Sequence, residues 1–195
     1  MPAAIQQSQM ESDRLSAIKT IDSEIRAIEE LKKSLDAESL TKALDFMQNS
    51  TGRIIITGMG KSGHIGKKIA ASLASTGTPS FFVHPAEASH GDLGMITDDD
   101  VVIAISNSGE SRELIDILNY CKRFGIKLIA ITKNQDSSLG KAGDVVLLLP
   151  NNGEACPLGL APTSSTTATL VLGDILTIRM IERKGFSKED FNDRH

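Results

Sequence analysis

The chain has 195 residues, 40% of them hydrophobic and 24% charged, with a formal net charge of −4. That length accommodates one domain with a single buried core, and the acidic balance argues against the basic surface that nucleic-acid binding requires. Cys121 and Cys156 form no C-x-x-C pair and read as reduced thiols, neither a disulfide framework nor a metal site. The start, MPAAIQQSQMESDR, carries no signal-peptide pattern, and no apolar run is long enough to span a bilayer, so a soluble, cytoplasmic protein is expected.

Apolar residues at Ile18, Ile21, Ile25, Ile28, Leu31 and Leu35 recur at intervals of three and four, which predicts a long helix with one apolar stripe. A helix of this kind ahead of an α/β core suggests an oligomer contact. A second, shorter helix is predicted over Ser39–Gln48. After Gly52 the pattern changes to short β-branched runs at Arg53–Thr57, Ser80–Val83, Val101–Ile105, Lys127–Thr132 and Val145–Leu149. Each is apolar on both faces, as parallel strands covered by helices must be. Helical patterns lie between and after them at Gly63–Ser75, Glu110–Phe124, Ser137–Ala142 and Ser165–Lys184. The expected fold class is α/β: a three-layer α/β/α sandwich with a five-stranded parallel sheet over 51–195, preceded by N-terminal helices over 1–50, in one domain.

Ligands of such sheets bind beyond the carboxyl ends of the strands. After the first strand comes Thr57-Gly58-Met59-Gly60-Lys61-Ser62-Gly63-His64, where Gly58, Gly60 and Gly63 match G-x-G-x-x-G. A dinucleotide site also expects an acid at the end of the next strand, and none appears until Glu87; a P-loop fails because Ile55 stands where its leading glycine belongs. The surviving chemistry is an anion held by backbone N–H groups at a helix start, with Lys61 and Ser62 adding a charge and a hydroxyl. The third strand runs into Ser106-Asn107-Ser108-Gly109-Glu110-Ser111, whose three hydroxyls surround a glycine and suit a phosphate. Pro162-Thr163-Ser164-Ser165-Thr166-Thr167 opens the last long helix, either as a rich cap or as a further wall of the pocket.

The segments GMGKSGHIGKK, ASTGTPSFFVHPAEASHGDLGM, VVIAISNSGES and EACPLGLAPTSSTTATL resemble those of the D-arabinose 5-phosphate isomerases, members of the SIS (sugar isomerase) family. The resemblance covers about Thr51 to His195 and, more loosely, the N-terminal helices. It implies reversible conversion of D-ribulose 5-phosphate to D-arabinose 5-phosphate, on the route to the 3-deoxy-D-manno-octulosonate of lipopolysaccharide. It also implies a homotetramer, no required cofactor, and zinc as an inhibitory ligand. Many members carry a pair of CBS modules after the SIS domain. Here the chain stops at His195, where the family pattern continues with Pro-Gly-Gly, so an excised catalytic domain is the expectation.

Carried over residue by residue, the resemblance marks Lys61, Glu113, Glu154 and His195 as functional positions, His90 as a substrate-contacting histidine and His84 as the position linked to zinc. Gly77-Thr78 and stretches near Asp116–Gly125 and Pro150–Asn152 correspond to substrate-binding regions, alongside Ser62, Ser106, Ser108, Ser111, Thr163 and Ser164. Aldose–ketose isomerisation moves a proton between C1 and C2 through an enediol, and so needs a base near the carbon and a donor or cation near the oxygens. Glu154, in a Pro/Gly-rich loop, is the expected base, with a loop-bracing role as its structural alternative. His90 is its rival, or the proton shuttle between oxygens. Lys61 would steady the phosphate or the enediolate. Glu113 would orient Lys61 or interact with the helix dipole. The histidine corresponding to His195 is expected at a neighbouring subunit's site, and His64 is read as structural. The competing functions are a non-catalytic sugar-phosphate sensor, an isomerase of another ketose phosphate, and a nicotinamide-dependent oxidoreductase resting on the glycines alone.

Overall fold

Alternate residues of the strands fill two separate cores, because successive side chains of a strand point to opposite faces. In the computed structural model, which describes residues 3–193, β1 (Ile54–Gly58), β2 (Ser80–Val83), β3 (Val101–Ile105), β4 (Lys127–Thr132) and β5 (Val145–Leu148) form one all-parallel sheet in the order β2-β1-β3-β4-β5. Ile54, Ile56, Val101, Ile103, Ile129 and Ile131 face one side. They meet α1 (Ala3–Ser34), α2 (Ala37–Asn49), α3 (Gly60–Ser75) and α7 (Ser164–Lys184). Ile55, Val102, Ala104, Leu128 and Ala130 face the other, against α4 (Pro85–Ala88), α5 (Ile115–Phe124) and α6 (Ser138–Ala142). This is the expected three-layer sandwich. The chain leaves β1 for its β2 neighbour by way of α3 on one face, then crosses to β3 and continues outward with α5 and α6 on the other. The crossover directions reverse between β1 and β3, which opens a crevice at their carboxyl ends.

Several boundaries differ from the sequence expectation for local reasons. α3 begins at Gly60 rather than Gly63, since Gly60 takes a positive φ of 58° and turns the chain straight into the helix. The helix expected over Glu110–Phe124 is a 3-10 turn (Arg112–Leu114) leading into α5. Glu110 stays outside it, its carboxylate accepting hydrogen bonds from Ser138 N and Oγ at 2.8 and 2.7 Å. α4, a 3-10 turn at Asp92–Met95 and α8 (Lys188–Asn192) are too short to produce a periodic signal.

The long helix forms, but not around the predicted stripe. Ile18, Ile21, Ile25 and Ile28 are 38–56% exposed, while Ala27 and Leu31 are buried and Leu35 is packed against the same core. Small Ala27 lets α1 lie close to α7, and that choice turns the isoleucines outward. No described helix is long and apolar enough to cross a membrane.

The amino ends of β1 and β3 are tied by Asp100, which is 5% exposed and accepts from Arg53 N (2.7 Å), Thr97 N (2.8 Å) and Thr97 Oγ1 (3.1 Å). Asp100→Ala strands these donors and is expected to cost about 2–4 kcal/mol of unfolding free energy. Denaturant titration measures it, and a loss below about 0.5 kcal/mol would show that water replaces the carboxylate at no cost.

Candidate active site

Three loops and one helix start converge at the carboxyl end of the sheet. The first is the β1–α3 turn. Gly63 is buried and lets α3 ride on β1, since a Cβ there would lie 2.5 Å from Gly58 O. Lys61, exposed, and Ser62, half-buried, occupy the first turn of α3, where N–H groups lack helical partners. Behind them, Thr57 is fully buried and its hydroxyl has no partner.

The second is the serine turn after β3. Ser106 is buried and its Oγ lies 2.9 Å from Ser111 Oγ while accepting Gly109 N at 3.1 Å. Ser108 Oγ accepts Glu110 N at 3.2 Å. Gly109 holds φ at +74° and packs against Ser137, so the turn is fixed before any ligand arrives. A phosphate placed here would meet hydroxyl and amide donors of a preformed cup.

The third is the long β5–α7 connection. Glu154 Oε2 accepts Thr163 N at 2.8 Å, Thr163 Oγ1 at 3.1 Å and Ser165 N at 3.1 Å, which caps α7. Partial burial pushes the carboxyl up, but hydrogen bonding from Ser165 and Thr163 outweighs it and holds Glu154 below the usual carboxylate range. It is therefore ionised near neutrality and locked in orientation. Thr163 Oγ1 also accepts Ala155 N at 2.9 Å, and fully buried Ser164 is hydrogen-bonded to Ser23 of α1 at 3.1 Å. Thr163 and Ser164, expected to contact substrate, are thus committed to bracing. Ser165 lines a cavity of about 270 Å³ with Asn107, Lys133, Glu154 and Leu160, its own hydroxyl oxygen shielded from solvent.

Asn107 and Lys133 were not singled out from the sequence, although Lys133 stands directly after a predicted strand and Asn107 lies inside the serine turn; Ser165 belongs to the segment expected either as a cap of the last helix or as a further wall of the pocket. A larger cavity of about 540 Å³ lies between α2 and β5, but its walls include none of the loop residues after β1 or β3. The carboxyl-end cavity is the better candidate, because its lining comes from the loops after β3, β4 and β5 and from the start of α7.

His84 follows β2 and is half-buried, edge-on to Phe82 with ring centroids 6.4 Å apart; its Nδ1 is buried without a partner. His90 is exposed in the turn after α4, and Glu113 is exposed in the 3-10 turn against which α4 packs. Among the described residues no three His, Cys, Asp or Glu side chains gather as a metal site. Gly77 and Thr78 are not brought to this end: they precede β2, at the opposite edge of the sheet, where Gly77 packs on Phe186. Parallel strands put the loop before β2 and the loop after it a strand length apart, so these two residues do not join the site of their own chain. Asp116–Gly125 forms most of α5, with Ile117, Leu118 and Cys121 in the core. His64 is exposed on α3, with no core packing to support a structural role, and His195 lies outside the described residues.

The two thiols differ. Cys156 sits in the β5–α7 loop, where the N–H groups of Ala161, Leu160 and Leu158 hold its thiol below the usual range. Burial pushes the Cys121 thiol up to about 12. Iodoacetamide near neutral pH is expected to alkylate Cys156 at least about tenfold faster than Cys121. Peptide mass mapping reads this directly, and first labelling of Cys121 would contradict the geometry of the loop.

The SIS domain pattern matches residues 47–179. The arabinose 5-phosphate isomerase of Pseudomonas aeruginosa is 56% identical over 180 residues, covering 92% of this chain and 55% of the relative. That of Francisella tularensis is 55% identical over 183 residues, covering 92% and 56%. An Escherichia coli CFT073 protein solved in complex with arabinose 5-phosphate is 43% identical, with a TM-score of 0.88, over 93% of this chain and 96% of that one. The chain spans just over half the length of the curated relatives it matches.

Proposed function

Because the chain belongs to the SIS domain family, we propose that it is an aldose–ketose isomerase interconverting D-ribulose 5-phosphate and D-arabinose 5-phosphate through an enediol. The observation that carries this reading is the 56% identity, across 92% of the chain, to a relative named for that isomerisation. The product would feed synthesis of 3-deoxy-D-manno-octulosonate and lipopolysaccharide, in the cytoplasm.

In this reading the phosphate sits in the serine turn and at the α3 start, held by hydroxyl and N–H donors, with Lys61 adding charge. The open-chain sugar extends toward α7. Glu154, ionised and fixed by its cap, takes the proton from C1 of the ketose as the C2 carbonyl becomes an enediolate. A proton passes from O1 to O2, His90 being the shuttle, and C2 is then protonated to give the aldose. Lys61 stabilises the enediolate oxygen, and Glu113 positions the groups around it.

Lys61, His90 and Glu113 are all exposed in one chain, which supports a site closed by neighbouring subunits of a homotetramer, His195 among their contributions. The reaction needs no cofactor. Zinc inhibition through His84 would need further donors from the substrate or a second chain.

The test is turnover of D-ribulose 5-phosphate by the purified chain, with D-arabinose 5-phosphate as the product followed. Product formation that falls in His90→Ala and in Glu154→Gln supports the reading. Tight sugar-phosphate binding without turnover would replace it with a non-catalytic sensor.

A further inference from the structure

The connection from β5 to α7, residues 149–163, holds no helix or strand. Connections of that length inside a compact domain are uncommon and usually functional. Its stem is pinned. Ala155 N donates to Thr163 Oγ1 at 2.9 Å, beside the bonds that Thr163 and Ser165 make to Glu154. Its tip, residues 156–162, is bonded only to itself among the described residues: Gly159 N donates to Cys156 O at 2.8 Å, and the N–H groups of Ala161, Leu160 and Leu158 are turned on the Cys156 sulfur. A tip closed on itself above a fixed stem can swing as a unit without breaking a hydrogen bond to the body.

What the tip carries is out of place in water. Leu158 and Leu160 are each 78% exposed, more than any other large hydrophobic side chain described. Gly159 stands between them with nothing within 4 Å of the place a Cβ would take. Yet Gly159, Leu160 and Pro162 form a wall of the carboxyl-end cavity, together with Glu154 and Ser165. An apolar tip thus stands at the rim of a polar cavity that holds the base. Enediol chemistry needs water kept from that cavity, because solvent weakens every charge interaction inside it and takes up protons in transit.

We propose that residues 156–162 are a lid, which folds onto the carboxyl-end cavity when a sugar phosphate fills it and carries Leu158 and Leu160 across the mouth. This rests on the isomerase reading above and extends it: the two leucines exclude water from Glu154 and the enediolate, and the Cys156 sulfur is the hub on which the lid is wound.

The test uses the whole chain with its own Cys156 as the reporter. Cys156 is in the tip but does not line the cavity, so a ligand seated there leaves the thiol uncovered unless the tip moves. D-Arabinitol 5-phosphate, a polyol phosphate that cannot isomerise, is expected to slow alkylation of Cys156 by iodoacetamide at least about tenfold. Inorganic phosphate, too small to meet the lid, should change that rate by less than about twofold. In the double variant Leu158→Ser, Leu160→Ser the polyol phosphate still binds, but the slowing disappears and kcat for D-ribulose 5-phosphate falls at least about tenfold. Both side chains are exposed, so the thermal midpoint should hold.

An alkylation rate that saturating polyol phosphate leaves unchanged would overturn the proposal. So would a double variant that keeps full kcat, or one that loses self-association while kcat and the slowing persist, since the leucines would then be a contact between chains. A wild-type chain that neither binds the polyol phosphate nor turns over D-ribulose 5-phosphate would overturn the isomerase reading, and the lid with it; that control is read before any variant.

Discussion

Glu154→Ala is expected to lower both the stability of the chain and its turnover of D-ribulose 5-phosphate, whereas Glu154→Gln is expected to lower turnover far more than stability. The alanine strands Thr163 N, Thr163 Oγ1 and Ser165 N, all of which end on one carboxylate oxygen. Loss of such a cap costs about 1–2 kcal/mol. The glutamine amide oxygen still accepts from those donors, so α7 keeps its start. Neither side chain abstracts a proton, and both variants are expected to lose about 10²–10⁴ in kcat.

Parallel falls in activity and stability across both variants would make Glu154 a brace alone. Acid adds a second readout. The folded carboxyl lies below its ordinary value of 4.5, so its stabilising contribution is complete above that pH and disappears as pH falls through the folded value. The stability advantage of wild type over Glu154→Gln should therefore shrink in acid from about pH 4.5 downward.

Gly109→Ala is the most damaging single methyl expected in the site. At φ +74° an added Cβ would collide with the Ser137 side chain and approach Thr132 Oγ1 to 2.9 Å. Backbone strain contributes about 1 kcal/mol and the forced shift of the turn brings the total to about 2–4 kcal/mol. The shift also moves Ser106 and Ser111, so KM for the sugar phosphate is expected to rise at least about tenfold. Gly60→Ala is the control: its φ is +58°, but nothing lies within 4 Å of the added carbon. It should cost only the backbone part, about 1 kcal/mol. Equal losses in the two variants would show that conformation, and not the Ser137 contact, fixes the serine turn.

The strands were legible because each is a short β-branched run buried on both sides, and three of the five runs, Ser80–Val83, Val101–Ile105 and Lys127–Thr132, have the predicted limits. The serine and glycine turns were legible because each must directly follow such a run. What escaped was set by contacts distant in sequence. The isoleucine stripe of α1 predicts a helix correctly but not its packed face, because Ala27 gives the closer approach to α7. Thr163 and Ser164 read as ligand hydroxyls until Glu154 and Ser23 are found bonded to them. Gly77 and Thr78 came from resemblance alone, and the parallel topology places them at the amino end of the sheet, away from the loops after β3, β4 and β5 in the same chain.

α1 also divides into two stretches of unequal protection. Residues 6–22 are exposed all round, held by local pairs such as Gln9 with Asp13 and Arg14 with Glu11, while Ala27 and Leu31 are sealed against the core. An unsupported helix of that length is marginal in water. In dilute solution its backbone amides should trade hydrogen for deuterium in sequence order, fast near Gln6 and slow by Leu31. Concentrating the protein until chains meet along the isoleucines should flatten that gradient, making the first turns of α1 a built-in gauge of how many neighbours each molecule has.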